Sequence, residues 1–124
     1  MPQTLNYLPM TIAGTQIQIV AGAFSIAASG GTPTVLQGQG WTVAKSNTGV
    51  YTITFADAYV ALLSGQLTVG AATAVDLVAQ IKSYDVVTTK TLVIDLNAGA
   101  TPTEPAAVTE IHFVLFLRNS TVGQ

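Results

Sequence analysis

The chain contains no cysteine and few charged side chains. Without cysteine it can form no disulfide, thiolate nucleophile or cysteine-ligated zinc site. Asp, Glu, Lys and Arg make up 8% of its 124 residues, compared with about 25% in typical soluble domains. Thr, Ser, Gln and Asn must therefore supply most of the polar surface. Because the four Lys and Arg residues are scattered, we expect no nucleic-acid partner.

A long apolar run is also missing, and we expect no secretory signal. The most apolar stretch, residues 17–28, is interrupted by Gln18, Gly22 and Ser25, and it is shorter than the roughly 20 apolar residues of a membrane helix. No charged residue precedes Lys45, so the basic start of an export signal is absent. The length is typical of one domain. We expect a single water-soluble domain with no membrane partner.

The residues that usually carry catalysis are too few and too dispersed to form a site. His112 is the only histidine, so no second histidine or cysteine can complete a metal site or a nucleophile–base pair. Six carboxylates fall in separate predicted elements: Asp57, Asp76, Asp85, Asp95, Glu104 and Glu110. Asp95 is predicted to lie on a solvated strand face. We expect no enzyme, catalytic residue, cofactor or metal, although calcium bound by loop oxygens near Asp85 or Glu104 stays an open alternative.

Alternation of apolar and polar residues predicts a chain made mostly of strands. Residues 17–28 predict two strands, or one strand with a bulge at Gly22. Residues 41–44 and 51–55 predict a β-hairpin, with Asn47 and Gly49 at turn positions that tolerate positive φ. Further strands are predicted at residues 66–69, 75–82, 91–97 and 110–118. Loops are predicted at residues 29–33, 70–74 and 98–109.

One short helix and an N-terminal arm complete the prediction. Asp57 is placed as the N-cap of a helix near residues 57–64, which Gly65 would end in the left-handed conformation. Residues 1–10 contain two prolines and predict an extended arm ordered by contact with a neighbour. Residues 11–124 are predicted to form a single all-β domain. We expect an antiparallel β-sandwich or barrel, jelly-roll-like in connectivity.

The last predicted strand is apolar on both sides. Four large apolar residues alternate on one side: Ile111, Phe113, Leu115 and Leu117. Val114 and Phe116 lie on the opposite side, where a two-layer sandwich would normally face solvent. We therefore predict a subunit interface formed by His112, Val114, Phe116 and Arg118. The alternative is that a helix or loop of the same chain covers this side.

Three stretches resemble small structural proteins of tailed bacteriophage virions. They are GWTVA at residues 40–44, TGVYTITFADAY at residues 48–59 and IHFVLFLRNS at residues 111–120. The resemblance extends over residues 35–122 and contains no catalytic motif. It implies a virion protein on the capsid surface, a decoration or cement protein that binds the major capsid protein and stabilises the capsid. It also implies a homo-oligomer, commonly a trimer, with an arm that contacts the capsid through Leu5, Tyr7 and Leu8.

A second functional hypothesis is a glycan-binding module. A tail-fibre or spike tip would hold a host glycan on exposed aromatic rings, for which the chain offers Trp41 and the tyrosines Tyr7, Tyr51, Tyr59 and Tyr84. Trp41 alternates with polar residues in the same period as Val43, which is more typical of a core residue.

Overall fold

The computed structural model describes residues 10–12, 15–29, 31–72 and 76–118. These residues form ten strands and no helix. The strands are β1 (Met10–Ile12), β2 (Thr15–Ile26), β3 (Thr34–Gln37), β4 (Trp41–Asn47), β5 (Val50–Phe55), β6 (Ala61–Ala71), β7 (Val78–Asp85), β8 (Thr91–Ala98), β9 (Thr101–Pro102) and β10 (Thr109–Arg118). In the described part of the chain, no helix is long and apolar enough to span a membrane.

The strands form two antiparallel sheets. The first has the order β1-β2-β10-β6, with β3 also pairing with β2. The second has the order β4-β5-β8-β7, with β9 pairing with the end of β8. This confirms the predicted all-β antiparallel class and is compatible with a sandwich.

The core lies between the two sheets and is filled by alternate side chains from both. The predicted inner side of β10 is confirmed, because Ile111, Phe113, Leu115 and Leu117 are all buried. Aromatic rings join the sheets: the Trp41 ring on β4 packs edge-on against Phe113, with centroids 4.8 Å apart. Trp41 is buried, as its strand periodicity predicted.

Strand β2 is one continuous strand, but the bulge predicted at Gly22 is not present in its pairing with β10. It pairs with β10 without interruption from Ile17 to Ile26, and its irregularity is a register shift against β3 between Ala23 and Phe24. Gly22 lies beside this shift and faces Trp41. A Cβ at Gly22 would overlap the indole ring and lie 2.7 Å from the Gln37 carbonyl oxygen. The glycine therefore makes the space that the tryptophan occupies.

The predicted hairpin is confirmed as β4 and β5. Gly49 has a φ of 65°, the positive value expected at this turn. Asn47 contributes differently from the prediction, since its side-chain oxygen accepts the N–H of Thr48 at 2.8 Å. The hairpin turn therefore depends on one glycine and one side-chain hydrogen bond.

The predicted helix near residues 57–64 is wrong. Asp57 lies in a bend, and β6 begins at Ala61. Leu62 pairs with Leu117, and the N–H of Val60 donates to the Arg118 carbonyl at 2.8 Å, so the ladder with β10 provides the hydrogen bonds that a helix would have made. Gly65 lies within the strand rather than at a helix end. Tertiary pairing here overrides the local capping signal.

The remaining differences concern strands with weak local signals. Strands β1, β3 and β9 were not predicted, and β6 extends into the loop predicted at residues 70–74. Met10, placed at the end of the arm, lies in β1 and pairs with Ile17. The proposed capsid-contacting residues Leu5, Tyr7 and Leu8 lie outside the described residues, so that prediction stays open.

Candidate protein-interaction face

The candidate site is the outer face, defined as the side of β2, β10 and β6 that points away from the core. Residues directly opposite in an antiparallel pair share a face. Phe116 on β10 is opposite Ile19 on β2, and Val114 is opposite Ala21. On the other side of β10, Val114 is opposite Gln66 of β6. The strand order therefore places an apolar row across the middle of the sheet.

Three large apolar side chains of this row are incompletely buried. Ile19 is 42% exposed and Val114 is 37% exposed, while Phe116 is half-buried. Because Ile19 and Val114 remain exposed, the structure gives no support to the alternative that a helix or loop of the same chain lies over this part of β10. An apolar cluster in the centre of a sheet, as opposed to one isolated side chain, is typical of a protein-interaction surface.

The outer face is concave beside this row. A shallow cavity of about 380 Å³ lies between β3 and β6, with Ala21 and Val114 among the residues that line it. Polar side chains at its edges include Gln37, Gln66 and His112. An apolar floor with amide groups at the edge can receive an apolar side chain and hydrogen-bond to the backbone that carries it.

The polar residues predicted for this interface lie at its two ends. His112 Nε2 is 2.9 Å from Glu110 Oε1, and both side chains are about half exposed, so this pair contributes little to stability. Arg118 is half-buried at the other end of β10. Among the described residues its Nε has no hydrogen-bond partner. All four predicted interface residues therefore share the outer side of one strand.

Sequence reasoning missed the residues that the neighbouring strands add to the outer face. Ile19 and Ala21 come from β2, and Gln66 comes from β6. A signal for β2 was present, because the period-two set Ile17, Ile19 and Ala21 that predicted the strand points to the outer side. Without the strand order, nothing indicated that it lies beside β10.

The prediction that Asp95 is solvated is wrong. Asp95 is only 5% exposed, and within the described residues its Oδ1 has no hydrogen-bond partner. The period-two pattern does place it on the side of β8 opposite the core residues Ile94 and Leu96. However, β8 is flanked by β5 and β7, and β9 folds back against its end at Asn97. Its neighbours across the two ladders are Val50 of β5 and Gln80 of β7, both distant in sequence, so the local pattern could not show its surroundings.

Glu104 joins the long connection after β9 to the β4–β5 hairpin. Its carboxylate pairs with Lys45 Nζ at 2.6 Å, and it accepts the N–H of Gly49 at 3.3 Å and the hydroxyl of Tyr51 at 3.2 Å. Burial raises the pKa of Glu104, but hydrogen bonds from Lys45, Gly49 and Tyr51 outweigh it and hold the pKa below its usual value. Burial, reinforced by the Glu104 charge, raises the pKa of the Tyr51 phenol. These contacts indicate a structural role for Glu104.

Glu104→Ala is expected to lower the free energy of unfolding by about 1–2 kcal/mol at pH 7, because three donors lose their shared acceptor. The pKa of Glu104 is lower in the folded chain than the ordinary value of 4.5. Its ionic contribution is therefore fully present above pH 4.5 and is lost as the pH falls through the folded value. Urea unfolding at pH 7 and pH 3 should show a difference from the parent that shrinks at pH 3.

The matched control is Glu110→Ala, which removes an exposed carboxylate paired with His112. Its expected effect at pH 7 is below about 0.5 kcal/mol. Equal losses of stability for the two variants, or a Glu104→Ala effect that is the same at both pH values, would contradict the role assigned to Glu104.

Within the described residues there is no group of three or more His, Asp or Glu side chains that could hold a metal ion. Asp85, considered for calcium, instead accepts the backbone N–H groups of Val87 and Thr88 in its own turn.

A scan against protein-family models and searches of curated proteins and of solved structures found no match.

Proposed function

We propose that the chain is a non-enzymatic structural protein of a tailed-bacteriophage virion, built on an antiparallel β-sandwich. Its subunits associate through the outer face, as a trimer, and decorate the capsid surface. The observation that carries the proposal is the partly exposed apolar row formed by Ile19, Val114 and Phe116. The virion location is supported by the resemblance of residues 35–122 to virion proteins.

The size of the outer face favours association in an array over a tight isolated pair. Three strands about 4.8 Å apart and about 34 Å long, the length of the 10 residues of β10, present roughly 490 Å², whereas a stable interface buries about 800 Å² per partner. Burying an exposed Val or Ile side chain contributes about 2 kcal/mol, and the cost of association is about 4–15 kcal/mol. Several weak contacts held together on one surface overcome that cost through effective concentration.

The scarcity of charge suits such an assembly. Charged residues are 8% of the chain and the net charge is −2, so many copies can crowd on one surface with little mutual repulsion. Amide and hydroxyl groups such as those of Gln37, Gln66 and Thr68 supply hydrogen bonds without introducing charges that would have to be desolvated at an interface.

The glycan-binding alternative has less support. Two of the aromatic residues that a sugar platform would need, Trp41 and Tyr51, are buried in the core. Tyr59 is half-buried against Phe55, and Tyr84 is 54% exposed on β7. Within the part of the chain that the structure describes, one exposed tyrosine does not make the row of rings on which a glycan stacks, and Tyr7 lies outside that part.

The decisive experiment is binding of the purified chain to empty capsids of the virion that carries it, in parallel with a glycan array. We expect saturable capsid binding with a fixed number of copies per particle, and capsids that withstand a higher temperature once decorated. The control variant is Thr54→Asp, which places a charge on an exposed position of the other sheet. It should bind capsids as well as the parent does. Saturable sugar binding without capsid binding would instead support a fibre or spike module.

A further inference from the structure

The first sheet ends at a strand whose outer edge has no partner among the described strands. β6 pairs with β10 along its whole length, from Ala61 opposite Arg118 to Ala71 opposite Thr109, with one irregularity near Leu62. The sheet order stops there. With 11 residues at about 3.4 Å each, the edge is about 37 Å long. Its outward backbone N–H and C=O groups form a template for another strand.

Apart from the irregularity near Leu62, at its start, this edge lacks the features that normally prevent pairing between molecules. Residues 61–71, ALLSGQLTVGA, contain neither a charged residue nor a proline. Both edge strands of the second sheet do carry charge, with Lys45 on β4 and Lys82 and Asp85 on β7. The edge strands β1 and β3 of the first sheet are only 3 and 4 residues long. β6 is therefore the one long, unprotected edge in the described part of the fold.

The core is also incompletely covered on this side. Five aliphatic residues pack against the core yet remain only partly buried, three on β6 and two on β7: Leu62, Leu67, Val69, Ala79 and Ile81. On the adjacent strand β10, in contrast, Leu115 and Leu117 are fully buried. Apolar area thus stays exposed along the same side that offers the unpaired backbone.

We propose that β6 pairs with β6 of a second copy of the chain, antiparallel and about a two-fold axis. An edge strand is self-complementary in this arrangement, because each N–H that donates to a C=O of the copy is matched, through the two-fold axis, by the same N–H of the copy donating back. With no charge between residues 61 and 71, no like charges oppose each other across the axis. The half-buried Leu67 and Val69 of one copy would be covered by the same residues of the other.

This inference goes beyond the proposed function, because the edge and the outer face are different surfaces. Pairing would join the two first sheets into one continuous sheet and place both outer faces side by side. The edge is about 37 Å long and the sheets are about 10 Å apart, which gives roughly 370 Å² per copy, under half of the usual interface. The pair is therefore expected to be weak. Covalent cross-linking of the two copies is a better test than a measurement of molecular mass in solution.

The absence of cysteine makes this test direct. In a two-fold antiparallel pair, a residue on the axis lies opposite its own copy with the Cβ atoms about 5 Å apart, close to disulfide geometry. Single variants Ser64→Cys, Gln66→Cys and Thr68→Cys, together with equimolar mixtures of neighbouring variants, cover the registers near the middle of the strand. We expect one variant or mixture to form a disulfide-linked dimer at least ten-fold faster than the controls Gln80→Cys on β7 and Thr54→Cys on β5.

Residues 64, 66 and 68 also point to the outer face, so a cross-link between them could form through either surface. A second set of variants that also carry Phe116→Asp distinguishes the two surfaces. In chains that carry Phe116→Asp as well, cross-linking through β6 should continue at the same rate. Loss of cross-linking in that background would assign the dimers to the outer face and overturn the proposal. Cross-linking no faster than in the two controls would overturn it too. Capsid binding does not enter either readout, so failure of the proposed function would be seen separately.

Discussion

Phe116→Asp is expected to abolish association through the outer face while leaving the chain folded, with a free energy of unfolding within about 1–2 kcal/mol of the parent. Phe116 points to the outer face, opposite Ile19, and is only half-buried in one copy. The aspartate can remain hydrated in a monomer, but docking of a second subunit would bury its charge without a partner. Light scattering after size-exclusion chromatography, at micromolar concentrations, measures the change in mass.

Phe113→Ala on the same strand is the matched control. Phe113 is 2% exposed and packs against Trp41, so this truncation should cost about 3–5 kcal/mol. The contrast between two phenylalanines three residues apart tests which side of β10 belongs to the core. If Phe116→Asp unfolds the chain, Phe116 is part of the core. If the parent is a strict monomer at these concentrations and Phe116→Asp decorates capsids as fully as the parent does, the outer face is not a subunit interface.

Gly22→Ala is expected to destabilise the fold by about 1–3 kcal/mol, because an added methyl group would overpack the core. In an open strand the same change would be favourable by about 0.5–1 kcal/mol, since glycine is a poor strand residue. Here the new Cβ would overlap the Trp41 ring and approach the Gln37 carbonyl. The chain has a single tryptophan, so urea unfolding followed by Trp41 fluorescence reports both stability and the position of the ring.

Gly70→Ala is the control for this substitution. Gly70 lies in β6, and a Cβ there would meet its nearest neighbours, on Glu110 and His112, at 3.9 Å. This variant should be as stable as the parent or slightly more stable. Equal stability of the Gly22 and Gly70 variants, with unchanged Trp41 emission, would show that a methyl group at Gly22 fits without displacing the ring, and would contradict the prediction.

Strands with strict alternation could be predicted from the sequence, and those that depend on a neighbour could not. The hairpin of β4 and β5 and the last strand β10 were predicted because their period of two is a local property of the chain. β1, β3 and β9 have only 3, 4 and 2 residues and exist because β2 and β8 offer partners. The helix predicted from Asp57 failed because pairing with β10 is more favourable than a single capped turn.

The candidate site was predictable to the same extent. The outward positions Val114 and Phe116 follow from the alternation of β10 alone. Predicting the contribution of Ile19 and Ala21 requires knowing that β2 is the neighbour of β10. No local sequence pattern determines the strand order. The prediction that Asp95 is solvated failed for the same reason. The sequence placed Asp95 on the correct side of β8, but it did not show which strands lie beside β8.

The central place of β10 also has a consequence for biosynthesis. β10 is the last described strand, yet it lies between β2 and β6 and completes both of their ladders. While the ribosome is still translating residues 109–118, β2 and β6 have no partner between them, and the apolar side chains of both strands face solvent. Folding of the first sheet must therefore wait until nearly the whole domain has emerged, and pairings so distant in sequence form slowly. Nascent chains are consequently expected to need protection from aggregation until β10 inserts.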